Sequence, residues 1–372
     1  MSETATSTEQ SEAPRVLVRR DGRLGRLTLN RVRAINALDL GMVQALAAAL
    51  DDWDRGGDVD VVLLDGAGER GLCAGGDVRG LYDQIVAGDA AGTGMFFRAE
   101  YALNTRIAEY PQPIVVLADG ITMGGGIGLA SHASLRVVTE RSKLAMPETR
   151  IGFTPDVGGT WLLGRAPGRT GEYLALTGAS MDAADALHAG FADVLVPSER
   201  LDDVRAALAS YGAGEGTGSV EDRVRAFSAA PGLSRLEASR AWIDDAFSAG
   251  SVEGIVERLR ARPEAEASAT ADLLAELSPT ALAATLAAVR AARTLPDLRA
   301  ALAQEYALVL WFATTQPDLV EGIRAQLVDK DRRPRWRPAA ISDVDPGTGA
   351  AALAFRPDVP LWPETARGDA PA

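Results

Sequence analysis

DGITMGGGIGLASHASLRVVTERSKLAMPETRIGFTPDVGG, residues 119–159, is the stretch around which the chain is organised. Its consecutive glycines Gly124, Gly125 and Gly126 follow an apolar, strand-like run at residues 113–118 and open a helix-like one. Glycines placed there let backbone N–H groups reach a ligand with no Cβ in the way. The start of a helix adds unpaired donors and a partial positive charge, which suit an anionic oxygen. Downstream stand two carboxylates, Glu148 and Asp156, each after a proline in turn-rich sequence. Donors for an oxyanion beside carboxylates are the parts of an acyl-group enzyme. Alone, GGGIG reads more simply as a tight strand-to-helix turn. It lacks the GxGxxG spacing, and no lysine–hydroxyl pair follows it as a P-loop requires.

A second turn of the same kind lies upstream. Residues 15–30 read as a hairpin around Asp21-Gly22, and a helix follows with Asp39 as N-cap and apolar residues at helical spacing to Trp53. VDVVLLDG, residues 59–66, is the short apolar run of a buried parallel strand, which completes a βαβ unit. CAGGD, residues 73–77, then leads into a helix that begins near Asp77. Two glycine turns, each after a strand and before a helix, place both at the carboxyl edge of an α/β layer. N–H groups converging from separate turns are how an oxyanion hole is built. Asp77 reads as an N-cap. Cys73 reads as a small buried residue, since no nearby histidine in the sequence would activate it.

The bulk numbers narrow the function. With 372 residues, 47% hydrophobic and 24% charged, the chain can build one large or two ordinary soluble domains. A net charge of −13 argues against nucleic acid or an anionic membrane as the main partner. The single cysteine excludes an internal disulfide and fits a cytoplasmic setting; two histidines cannot build a histidine metal cage. The expected organisation is a disordered lead-in at 1–14, an α/β core at 15–209, a linker (GAGEGTGS), a helical region at 219–340 and an extended tail at 341–372. In the core, the helix at 94–110 carries Phe96, Phe97 and Tyr101 toward the interior. Glu100 in their midst reads, by itself, as a solvated or salt-bridged side chain. The basic run DKDRRPRWR, residues 329–337, is either a solvated tail or a phosphate contact.

Five motifs in register, LNRVRAINAL, CAGGD, DGITMGGGIGLA, MPETRIGFTPDVGG and ALTG, resemble the crotonase (enoyl-CoA hydratase/isomerase) superfamily. SPTAL, QEY and EGIRAQLVDKDRRPRW resemble its thioester-hydrolase subgroup, so nearly the whole chain is covered. The resemblance implies a spiral of β-β-α repeats with a helical C-terminal region. It also implies that Gly76 and Gly125 form the oxyanion hole and that Glu148 and Asp156 are catalytic. Glu100, Gly125, Glu148 and Asp156 would contact the acyl group, and Arg33, Ala34, Cys73, Ala74, Gly75 and Asp77 would line the CoA channel. Gly128 departs from the hydratases, which carry a second glutamate there; water addition across a C=C bond needs an acid and a base. The implied reaction is release of CoA from 3-hydroxyisobutyryl-CoA, as in valine breakdown. Its alternatives are a hydratase or isomerase using Glu148 alone and a non-catalytic acyl-CoA-binding scaffold. No metal or cofactor is expected, coenzyme A being part of the substrate. A homo-oligomer is allowed; nucleic acid and membrane are not expected partners.

Overall fold

The computed structural model describes residues 13–215 and 217–363; of the lead-in expected at 1–14, residues 1–12 lie outside this range. β1 (Val16–Asp21) and β2 (Leu24–Leu29) pair antiparallel as the expected hairpin. Asp39 accepts the Met42 N–H and starts α1 (Leu40–Gly56), which returns the chain to β3 (Val61–Gly66), parallel to β2. Each following circuit then lays down two strands: β4 (Gly71–Cys73), β5 (Ile114–Ala118), β6 (Ile121–Met123), β7 (Leu135–Val138), β8 (Lys143–Ala145) and β9 (Val194–Leu195). Odd-numbered strands from β3 onward join one sheet, in the order β1-β2-β3-β5-β7-β9; β4, β6 and β8 form a second, parallel throughout. The helices between circuits are α2 (Val78–Val86), α3 (Ala90–Ala108), α4 (Gly125–Ala130), α5 (Gly159–Arg165), α6 (Thr170–Thr177) and α7 (Ala183–His188). This alternation is the β-β-α spiral. The βαβ reading was correct at the first crossover and silent about the second sheet.

The large sheet is covered on both faces, which is why its strands are apolar without alternation. Val62 and Leu64 enter the main core; Val61 and Leu63 enter a second cluster with Leu201 and Leu208 of α8 (Leu201–Gly212) and Val224 of α9 (Val220–Arg225). Burying each such side chain contributes roughly 1.5–3 kcal/mol. The C-terminal helices are α10 (Arg235–Ala246), α11 (Val252–Arg260), α12 (Ala265–Glu276), α13 (Pro279–Ala292), α14 (Leu298–Thr315) and α15 (Asp318–Ile323), the last continuing as a π-turn at Arg324–Val328. They share the main core with the spiral. α14 packs on α3, where the Tyr101 and Tyr306 rings meet edge-on at 6.4 Å.

The expectation of an extended tail needs correction. Thr348–Ala354 forms α16, with Ala352 buried and Gly349 so close to α13 that a Cβ would lie 2.8 Å from that of Ala287. Small residues let this helix dock, and seven residues among Gly and Pro carry too little periodicity to be read. Beyond it, Arg98 of α3 donates to the carbonyls of Val359, Pro360 and Leu361, tying that segment to the spiral; residues 364–372 of the expected tail lie outside the described range. Among the described residues, no single helix is long and apolar enough to cross a membrane.

Candidate active site

The two glycine turns meet because β4 and β6 are adjacent parallel strands of the small sheet. Each turn leaves the carboxyl end of a three-residue strand, β4 or β6, and not of the apolar runs at 59–66 and 113–118 that the sequence shows before it. Gly75 has φ +110°, and a Cβ on it would sit 3.3 Å from the Met123 carbonyl oxygen. Gly124, at φ +48°, makes the corner before α4. A Cβ on Gly125 would lie 3.3 Å from the Gly76 nitrogen. The Gly76 and Gly125 N–H groups have no backbone acceptor among the described residues, so two donors converge unused.

Three carboxylates face them across one cavity of about 300 Å³. α3 supplies Glu100, whose Oε1 would be 2.5 Å from a Cβ on Gly125. Glu148 opens a 3-10 turn (Glu148–Ile151), and its Oε1 would be 3.2 Å from a Cβ on Gly124. Asp156 lies in the loop before α5 and accepts a 2.7 Å hydrogen bond from the Tyr101 hydroxyl. Glu100 Oε1 and Glu148 Oε2 are buried with no partner among the described residues. Buried polar atoms are ordinarily paired, so these two are arranged for something that enters the cavity.

Burial raises every one of these carboxyls. It pushes Glu100 well above the usual carboxylate range, with the Asp156 charge adding to it. Burial does the same to Glu148, followed by the charge of Asp156. Asp156 is pushed up to about 7 by burial, against the pull of the Tyr101 hydrogen bond. Desolvation and like-charge crowding both disfavour the anions, so the site holds protons near neutral pH and can exchange them.

Of the residues expected along a CoA channel, Ala74, Gly75 and Asp77 line the cavity, while Arg33, Ala34 and Cys73 do not. Asp77 caps α2 through the Gly80 N–H and pairs with Arg31 at 2.8 Å, so its carboxylate is occupied. The Cys73 thiol is sealed in the core, and burial pushes it up to about 12. Arg33 is exposed in a 3-10 turn (Val32–Ala34) that adjoins the first glycine turn, with the Ala74 N–H donating to Ile35 O at 2.9 Å.

Three features were not anticipated from sequence. Tyr101, read as core, is Asp156's partner. Glu305 of α14 reaches the Asp156 loop from the C-terminal region and accepts from Gly158 and Thr160. A charged residue inside the apolar run ALAQEYALVLWF was its available signal. Third, the space beside Gly128 is already filled: a Cβ there would lie 2.7 Å from that of Val157 and 2.8 Å from Asn104 Nδ2.

Comparison with known proteins gives the same direction. Residues 24–353 match the Enoyl-CoA hydratase/isomerase family. The chain is 39% identical over 337 residues to the mitochondrial 3-hydroxyisobutyryl-CoA hydrolase of Danio rerio, covering 88% of this chain and 86% of that protein. To the Homo sapiens protein of the same name it is 36% identical over 349 residues, 89% and 86% of the two chains. Among solved structures, a carnitinyl-CoA dehydratase from Mycobacterium thermoresistibile superposes with a TM-score of 0.88 at 45% identity, covering 95% of this chain and all of that one. An enoyl-CoA hydratase from Rhodobacter sphaeroides 2.4.1 superposes with a TM-score of 0.85 at 44% identity, covering 92% and 98%. Family match, spiral and converging glycine turns agree: this chain belongs to the enoyl-CoA hydratase/isomerase (crotonase) family.

Proposed function

We propose that the protein is a thioester hydrolase that releases CoA from 3-hydroxyisobutyryl-CoA, as its vertebrate relatives are named to do, and so serves valine breakdown. The observation that carries this is the single cavity in which two unused N–H groups face Glu100, Glu148 and Asp156. With the thioester carbonyl oxygen between the Gly76 and Gly125 N–H groups, the charge that grows on it in the transition state is stabilised by fixed donors. Glu148, once its own proton has passed to solvent, then acts in one of two ways. Its carboxylate attacks the carbonyl carbon and expels CoA thiolate, leaving an anhydride that water splits; or it takes a proton from a water that attacks directly. Either way one water is consumed, the acid is released, and CoA leaves as the thiol after taking up a proton. The Asp156 oxygen not engaged by Tyr101 is free to accept from the substrate's 3-hydroxyl.

Coenzyme A enters as part of the substrate, and nothing in this chemistry calls for a metal or further cofactor. The family names of the two solved structures favour a second reading, water addition to an enoyl-CoA. Against it stands Gly128, where Val157 and Asn104 occupy the room a second glutamate would need. We place the protein in a reducing compartment because its single cysteine is a buried thiol; the relatives' mitochondrial location is theirs.

A thiol-release assay on 3-hydroxyisobutyryl-CoA, run beside hydration of crotonyl-CoA, tests the proposal. Release of CoA from the first with little hydration of the second is expected. The converse establishes a hydratase, and no turnover of either a binding scaffold. One turnover in ¹⁸O-water, followed by mass analysis of the Glu148 peptide, separates the two roles: label in the side chain means attack, its absence means base.

A further inference from the structure

The turn that carries Asp156 does not hold its own shape. Val157, β-branched, sits at φ +52°, and Gly158 follows at φ +79°. A β-branched residue in the left-handed region is disfavoured and persists where its surroundings impose it. Two outside groups do so here. His132 Nε2 is 2.8 Å from the Val157 carbonyl oxygen; burial pushes the ring down to about 4, so it is neutral and donates from Nε2. Glu305 accepts from the Gly158 N–H at 2.6 Å with one oxygen, and from the Thr160 N–H and hydroxyl at 2.8 and 2.5 Å with the other. α5 has no side-chain cap of its own, so this carboxylate, from a helix some 145 residues onward, caps it.

We infer that Glu305 is a positioning residue for the reaction: its carboxylate, anchored in α14, locks the 156–160 turn and thereby aims Asp156 into the cavity. Glu305 is fully buried, and its neighbour Tyr306 packs edge-on against Tyr101, the group that holds Asp156 from the other side. α14 thus holds Tyr101 through Tyr306 and the turn that carries Asp156 through Glu305. On this account the C-terminal helices do more than cover the spiral; they fix its acid. The inference rests on the hydrolase reading above insofar as Asp156 serves the reaction. A plain helix cap would stabilise α5 and leave the chemistry alone, and that is the alternative to exclude.

Glu305→Gln keeps the length of the side chain but turns an NH2 toward either Gly158 or Thr160, breaking at least one of the three bonds. Misplacement of a reacting group by about 1 Å can cost on the order of a hundredfold. The expected result on 3-hydroxyisobutyryl-CoA is a fall in kcat of about ten- to a hundredfold with KM little changed. The ratio of activity on 3-hydroxyisobutyryl-CoA to that on isobutyryl-CoA narrows at the same time. The deciding measurement is a cycle with Asp156→Asn. If Glu305 acts through Asp156, adding Glu305→Gln to Asp156→Asn lowers kcat little further; if the two losses multiply, Glu305 is a structural cap and the inference is wrong. Asp156→Asn with unaltered turnover instead refutes the hydrolase role of Asp156, a separate outcome. Should Glu305→Gln fail to fold, Thr160→Val removes only the hydroxyl bond, and the same cycle with Asp156→Asn is read on the smaller loss.

Discussion

Single atoms decide the chemistry at Gly125 and Gly128. On Gly125, the Cβ of a valine would meet Glu100 Oε1 at 2.5 Å, forcing the acid aside and filling the space of the acyl group. Loss of an oxyanion donor costs about 3–4 kcal/mol, roughly a hundred- to thousandfold in turnover. Gly125→Val is therefore expected to lose thiol release to that extent; near-normal kcat would remove Gly125 from the oxyanion hole. Gly128 answers differently from what its sequence suggests. Read from the chain alone, glutamate there supplies the second carboxylate that hydration needs and should gain some water addition. In the fold, Val157 and Asn104 stand at 2.7 and 2.8 Å from its Cβ position, so the added side chain overpacks the α3–α4 contact. Overpacking costs about 1–3 kcal/mol. A lowered melting temperature without gain of crotonyl-CoA hydration is expected for Gly128→Glu, and a variant that melts normally and hydrates would contradict it.

At the scale of elements, the cavity mouth is shared between halves of the chain. Gln326 and Leu327 of the π-turn line it together with Leu81 of α2, and Arg79 of α2 donates to the Leu327 carbonyl. The segment that follows is drawn into a tight turn by Arg324, which binds Glu321, Asp329 and Asp331. Lys330 and Arg332, both at positive φ, project from that turn with Arg333, all of them exposed. On a chain of net charge −13, this run is the one the sequence leaves open between a phosphate contact and a solvated tail, and kinetics separates the two. Lys330→Ala with Arg332→Ala should raise KM for acyl-CoA several-fold with kcat unchanged, and should weaken the dependence of KM on salt. If KM is indifferent to both, the run is a solvated surface. The elements themselves were legible where they were long. Asp39 and the apolar spacing after it located α1, and Asp21-Gly22 located the hairpin. β4, β6 and β8, three residues each, were not, because so short a run has no period to read.

For the whole molecule, the buried carboxyls imply a pH dependence of stability with a definite sign. Burial raises Asp156 to about 7 and Glu305 to about 8, and holds Glu100 and Glu148 well above the carboxylate range. Unfolded, such groups titrate near 4. Above those unfolded values the folded state binds more protons than the unfolded one, so stability falls as pH rises through about 7 and about 8, where Asp156 and Glu305 ionise in the folded state. Melting temperature should decline from pH 5 to pH 8, and Glu148→Gln, which removes one of these groups, should flatten the decline. A slope that Glu148→Gln leaves unchanged would mean that Glu148 is ionised throughout.

Local chemistry, then, was written in the chain. Glycines after apolar strands, an N-cap at Asp39 and carboxylates beside prolines depend on neighbours within a few residues, and they carried both turns, the family resemblance and the candidate acids. Everything that depends on partners far away in sequence had to wait for the fold. Tyr101 meets Asp156 across 55 positions and Glu305 meets Gly158 across 147. The glycine turns face each other only because β4 and β6 are neighbours in a sheet too short-stranded to see. The raised pKa values follow the same rule: they come from burial and from charges gathered out of the Asp156 loop, α3 and α14. A residue's type is local information, while its desolvation and its partners are properties of the packed chain.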